Sequence, residues 1–339
     1  MITTQVRHLF LLPLVGLCAA ALTGMVLSSC TTRPHPGQMV KRQGDEIVVA
    51  GQFVHTGTRV VLWMDPKGYD AYRVERRFSP RNQSDWESSQ QDERNLHSPN
   101  RYDMRSGALT DEEVERIRGG GWDLPTLQKV VDQFVIHYDA CGTSRTCFKV
   151  LHDSRGLSVH FMLDLDGTIY QTLDLKERAW HATTSNTRSI GIEIANRGAE
   201  EPGDPDFLKD WYHQDSNGTT LVIPGTNTQY TVDFVGHPAR PEIVVGNLQG
   251  KTLRQYDFTP QQYTALQKLT ATLCTVFPKI KCDYPRDAAG NLVTNKLSDD
   301  VLAKYQGVLG HFHIQTNKVD PGPAFQWDTV INGARKLMK

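Results

Sequence analysis

The chain has 339 residues, of which 39% are hydrophobic and 22% charged, with 37 Lys and Arg against 38 Asp and Glu. This balance excludes wholesale disorder and excludes a protein that grips nucleic acid through bulk positive charge. The length accommodates about two domains, and six cysteines are too few for a disulfide-dense miniature scaffold.

The first 29 residues read as an export signal. Arg7 and His8 precede an apolar run from Leu9 to Leu27, broken only by Pro13, Gly16, Thr23 and Gly24. The run ends in Leu27-Ser28-Ser29-Cys30, which resembles the bacterial lipobox, whose cysteine is acylated and becomes the mature N-terminus. The alternatives are an ordinary cleaved signal and an uncleaved anchor. Lipid on Cys30 predicts stable attachment to a membrane, since each buried acyl methylene contributes roughly 0.8 kcal/mol. The mature protein is then extracytoplasmic. Thr31 is not the aspartate associated with inner-membrane retention, so in a Gram-negative host the expected location is the outer membrane, facing the periplasm. With Cys18 removed and Cys30 lipidated, Cys141, Cys147, Cys274 and Cys282 remain, and the local pairs 141–147 and 274–282 are the simplest of three pairings.

Residues 30–44 are polar and rich in Pro and Gly, the composition of a tether. Residues 45–120 form an N-terminal extension. Its runs EIVVAGQFV and RVVLWMD predict a hairpin around His55-Thr56-Gly57-Thr58, 77–106 is irregular, and Thr110 with Glu113 predicts a capped helix start. The extension is expected to cover one side of a substrate groove. From 121 onward, VVDQFVIHYD (130–139) predicts a buried strand, and 158–174 two strands around Asp166-Gly167. SIGIEIAN (189–196) predicts another buried strand, and 199–257 reads as an insertion. Pro260 opens a helix with Tyr263, Leu266, Leu269, Leu273 and Val276 at helical spacing. Ser298 to Leu309 predicts a second helix, and the C-terminal tail a third. Strands mixed with helices indicate an α/β domain over 121–339.

Three residues could form a metal site: His137 at a strand end, His311 in LGHFH, and Asp320 nine residues further on. Two histidines and a carboxylate leave one of four tetrahedral zinc positions open, as in a catalytic site. Each histidine taken singly also reads as structural. Glu193 lies in the apolar run Ile190-Gly191-Ile192-Glu193-Ile194, where a carboxylate is costly unless it is functional or paired, for example with Arg188.

Taken together and in order, FVIHYDA, SVHFMLDLDGTIYQ, RAWHA, SIGIEIAN, FTPQQYTAL and GHFHIQTNKVDPGPAFQW resemble the zinc-dependent N-acetylmuramoyl-L-alanine amidase family of the AmpD and AmiD type (amidase-2), related to peptidoglycan recognition proteins. The resemblance covers about 130–198 and 258–328. It implies a central mixed β-sheet flanked by helices and one zinc ion per chain held by His137, His311 and Asp320. Glu193 matches the catalytic acidic residue and Lys318 the basic residue two positions before the aspartate ligand. His181 matches the histidine of AWHA, close to the site and read as substrate-binding or architectural. His160 is structural by the same comparison, and Cys141 and Cys147 match a short-loop disulfide. Three positions depart from the pattern. The His311–Asp320 spacing is one residue short, His313 replaces an aspartate and reads as a bystander, and Val159 stands where some relatives carry a catalytic tyrosine.

The implied reaction is hydrolysis of the amide between N-acetylmuramic acid and L-alanine in peptidoglycan or muropeptides, by a monomer that has no nucleic-acid partner. The rivals are a non-catalytic peptidoglycan-binding lipoprotein and a zinc peptidase acting on stem peptides.

Overall fold

The computed structural model describes residues 35–84, 101–203, 206–224 and 234–339, with Met1 and Glu87 besides. The export signal, Cys30 and most of 85–100 lie outside the described residues. Met1–Lys41 and Arg42–Lys339 are separate units. In the first, the described residues 35–41 are exposed, and Gln38 closes a turn back onto His35. Among the described residues no helix is long and apolar enough to cross a membrane.

The second unit is built on a six-stranded mixed sheet. Its strands are β3 (Val60–Leu62), β5 (Gln133–Tyr138), β6 (Phe161–Leu163), β7 (Ile169–Gln171), β9 (Ser189–Ile194) and β14 (Gly307–Gly310), in the order β14-β5-β9-β6-β7-β3. β14, β5, β9 and β6 run parallel, β7 is antiparallel to β6, and β3 is parallel to β7. Parallel strands buried on both faces read as continuous apolar runs, which is why 133–138 and 189–194 carried a strand signal without polar alternation.

Alternation still assigns the faces. Phe134 and Ile136 of β5, with Ile190, Ile192 and Ile194 of β9, share one cluster with Leu266, Leu269 and Leu273 of the helix α4 (Pro260–Val276) and with Val330 and Ile331 of the helix α6 (Trp327–Leu337). The intervening residues, Val135 and His137 on β5 and Gly191 and Glu193 on β9, therefore face the other way. α4 starts where the sequence placed it: Thr259 and Gln262 form a reciprocal capping box with Pro260 in the first turn.

The N-terminal extension contributes to the same unit. β1 (Glu46–Val49) and β2 (Gln52–His55) form a hairpin whose turn residues Ala50 and Gly51 have φ of 48° and 76°. The expected hairpin partner of β1, the RVVLWMD run, instead supplies β3 to the edge of the main sheet. Ala50-Gly51 closes the hairpin one run earlier because a two-residue turn needs left-handed φ at both positions, and glycine supplies it freely. On the second face of the sheet, Tyr69 stacks on Tyr170 (4.4 Å) and Phe148 (5.2 Å), so the extension completes that layer. β4 (Tyr102–Met104) pairs antiparallel with β8 (Glu177–Ala179). The capped helix is α1 (Asp111–Arg118).

The other differences from expectation are local. The VVDQFVIHYD run begins as the end of α2 (Leu124–Val130), capped by Asp123, before β5 starts. The helix expected over Ser298–Leu309 is only α5 (Asp299–Lys304), and β14 follows. Gly307 and Gly310 disfavour helix and suit a short strand closed in by neighbours. The inserted region holds two hairpins, β10 (Tyr212–Asp215) with β11 (Gly218–Leu221) and β12 (Val244–Leu248) with β13 (Lys251–Gln255).

Leu269 is fully buried between sheet and helices. Leu269→Ala is expected to lower stability by about 2–5 kcal/mol, seen as a lower urea midpoint at unchanged slope.

Candidate metal centre

The parallel register builds the site. Gly310 of β14 lies level with Ile136 of β5, so the next residues, His311 and His137, arrive side by side at the same end of the sheet. His137 is in turn level with Glu193 of β9. Asp320 returns on the loop after β14, where its carbonyl accepts from Phe312 N.

His137 Nδ1, His311 Nδ1 and Asp320 Oδ2 converge: 3.0 Å between the nitrogens, 2.8 Å from His137 to the carboxylate and 3.0 Å from His311. All three residues are buried and form a group able to hold a metal ion. Asp45, Glu46 and His55 also come together, but the Glu46 oxygens accept from Gln43 N and Gly44 N and an Asp45 oxygen from Gly57 N, so these carboxylates shape a loop.

The outer bonds set the tautomers. His311 Nε2 meets Gln315 Oε1 at 2.6 Å. An amide oxygen only accepts, so Nε2 carries a proton and Nδ1 is the nitrogen that faces the centre. His137 Nε2 lies 3.0 Å from His181 Nδ1, and His181 Nε2 lies 3.2 Å from Ser189 Oγ. A proton on each Nε2 satisfies this relay and leaves the Nδ1 lone pair of His137 facing Asp320. Burial, reinforced by the neighbouring His311, pushes His137 down to about 4, and burial holds His181 well below its usual range, so both rings are neutral. Gly191 is required here, because a Cβ would lie 2.5 Å from the His181 ring.

Glu193 faces the same cavity, of about 960 Å³, together with Trp180, Arg155 and Lys318. Burial and the charges of Asp320 and Asp139 raise its carboxyl well above the ordinary range, and Lys318 acts in the opposite sense. Its Oε2 is buried without a hydrogen-bond partner among the described residues. Arg188, the partner considered for it, is instead bidentate on Asp132 at 2.6 and 2.5 Å. None of the described residues of 45–120 lines this cavity, and most of 85–100 lies outside the described residues. Described parts of the extension pack on the second face and add β3 to the edge of the sheet.

His160 is structural as expected: it accepts from Gly191 N and reaches Glu177 O. His313 is not a bystander. It accepts from Gly310 N at 2.9 Å and reaches Val293 O at 2.8 Å, fixing the turn that begins at His311. Cys141 and Cys147 face one another as thiols beside the cavity, and Cys274 faces Cys282. Sequence reasoning missed Gln315, although its place four residues after His311 is the spacing that brings side chains together on a helical turn. It also missed Gln249, at the β12–β13 turn, which donates to the Phe312 and Gln315 carbonyls and braces the site from the insertion.

A buried His-His-carboxylate group able to hold a metal ion, with the Glu193 carboxyl on the same cavity wall, supplies the donors and the proton carrier that a hydrolytic site needs. Comparison identifies the family: N-acetylmuramoyl-L-alanine amidase (Amidase_2) matches residues 127–323, more than half of the chain, and the chain belongs to this family of peptidoglycan amidases, which cleave the bond between N-acetylmuramic acid and L-alanine. No curated protein matches. Similar solved structures include a selenomethionine derivative of AmpD (18% identity, TM-score 0.32, 69% of this chain and 89% of that one). Another is the amidase AmiD from E. coli in complex with anhydro-N-acetylmuramic acid-L-Ala-D-gamma-Glu-L-Lys (20%, 0.33, 60% of this chain and 57% of that one). The endolysin LysCS from Clostridium intestinale URNW is a third (17%, 0.33, 63% and 88%).

His160 and His313 are held down to about 3 by burial. Unfolding returns each to about 6.5, so their contribution is complete above that pH and is lost as pH falls through it. Each should remove roughly 1.4 kcal/mol per pH unit between about 6 and 4. The urea midpoint of metal-free protein is expected to drop clearly from pH 7 to pH 5.

Proposed function

We propose that the chain is a zinc-dependent amidase in which His137, His311 and Asp320 hold one zinc ion, Glu193 moves the proton and Lys318 stabilises the oxyanion. The donor set supports this reading. Ligand atoms held at about 2.0–2.1 Å in a tetrahedron lie about 3.3 Å apart, and the three observed separations are 2.8 to 3.0 Å. Both imidazoles are turned to offer lone pairs, and each is fixed from behind by Gln315 or His181, the support that ligating histidines need. When bound, zinc supplies Lewis acidity toward the scissile carbonyl and toward water.

The observation that carries the catalytic assignment is the unpartnered Glu193 Oε2 beside this centre. A raised carboxyl needs a nearby cation to ionise, and a divalent ion supplies one. Glu193 then accepts a proton from water as the oxygen joins the lactyl carbonyl carbon, and delivers that proton to the alanine nitrogen as the C–N bond breaks. The products are the muramyl lactyl carboxylate and a free amine on the stem peptide. Lys318, on the same cavity wall, faces the negative charge that develops on the carbonyl oxygen. His181 acts from behind His137 rather than on substrate. Retention of all three ligand residues speaks against the non-catalytic binder.

Lipid on Cys30 would place this activity at a membrane surface outside the cytoplasm, and in such an oxidising setting Cys141 and Cys147 would pair as a disulfide. A Cys30→Ser chain is expected to leave the membrane fraction for the soluble one and to lose incorporation of labelled fatty acid. Glu193→Gln is expected to lower turnover on purified peptidoglycan by about 10²–10⁴-fold while zinc content stays at one per chain. Mass spectrometry should find free L-alanine amines on the released peptides of the wild type. Cleavage within the stem would point to a peptidase.

A further inference from the structure

Arg105 lies in the extension, ahead of the family match at 127–323, and its side chain is completely buried. It has no carboxylate in contact. Its Nε donates to Leu175 O at 3.0 Å, one terminal nitrogen to Thr187 O at 2.7 Å and more weakly to Asn186 O at 3.4 Å, and the other to Ser189 O at 2.9 Å, with His160 Nε2 also 2.9 Å from that last nitrogen. Burying a guanidinium without a carboxylate partner is expensive unless nearly every N–H finds an acceptor. Here the four carbonyls belong to one feature. Leu175 precedes β8, and Asn186, Thr187 and Ser189 end the loop that runs from β8 into β9.

That loop carries His181. Asn186 Oδ1 accepts from the backbone nitrogens of His181 (3.0 Å) and Ala182 (2.6 Å), and Ser189 Oγ meets the His181 ring. At the other end of the loop, β8 is held by β4, the strand immediately before Arg105. The strap 102–105 thus fixes both ends of the segment that aims His181 at His137. We infer that Arg105 is a positioning residue for the metal centre, acting through the 180–189 loop and His181, so that a part of the chain outside the family match sets how firmly His137 is held. This rests on the zinc reading given above.

The test uses the full chain. Zinc affinity is measured by chelator competition, and hydrogen exchange of 180–189 is followed in metal-free protein. Arg105→Met, of similar length and without donors, should weaken zinc binding by about 10–100-fold, the usual effect of losing an outer support, and should speed exchange at His181 and Ala182. Combined with His181→Phe it should weaken binding no further than His181→Phe alone. Arg105→Lys, which keeps the cation and some donors, should recover part of both effects, and it stands in for Arg105→Met should that variant not fold. Leu269→Ala is the control for a purely structural loss: lower stability at unchanged zinc affinity. Wild-type affinity in Arg105→Met, or losses that multiply in the double variant, would overturn the inference. If the wild-type chain binds no zinc, the metal reading fails by itself. The exchange measurement then decides the clamp, and unchanged exchange at 180–189 overturns it.

Discussion

Three lone pairs aimed at one buried point repel one another unless something positive lies among them. His137, His311 and Asp320 are arranged in this way, with 3.0 Å or less between their inner atoms. The surroundings do nothing to relieve it. Gln315 and the His181–Ser189 relay occupy the outer ring nitrogens, which removes the option of turning a proton inward on a neutral ring. The sheet, the turn fixed by His313 and the brace from Gln249 then hold the backbone that would otherwise relax. Much of the rigidity in this half of the molecule keeps those three atoms together.

The same constraint explains the split character of the central strands. One set of alternating residues on β5 and β9 is wholly apolar and closes against α4 and α6. The other set holds glycine, histidine and glutamate. Gly191 is small because His181 lies over it, and Glu193 keeps its Oε2 without a partner among the described residues, beside the cavity. A single strand thus stabilises the fold with one face and stores unfavourable polar burial on the other.

How much of this could be read in advance depended on distance along the chain. Strands β5 and β9 and helix α4 announced themselves through apolar runs and a capping box. His137, Glu193, His311 and Asp320 were visible as polar residues in settings where burial is costly, and the ordered motifs linked them across 174 positions. What stayed hidden was set by partners far away. β14 is four residues long with glycine at both ends, and only its place beside β5 makes it a strand. β3 carried the right composition but the wrong partner. Arg105 offered no signal, since an arginine after a short polar segment reads as solvent-exposed, and the carbonyls that accept from it lie about 70 to 84 residues away, which no side-chain pattern encodes.

The three-residue strand β3 has a consequence for the edge of the sheet. It lies parallel along β7 and occupies that strand's outward row of backbone donors and acceptors. A chain trimmed to its family match would present β7 bare, with Tyr170 deprived of the ring of Tyr69. Exposed edges of this kind recruit strands from other molecules. The segment ahead of the catalytic framework therefore covers a strand edge that the trimmed chain would leave open to such pairing.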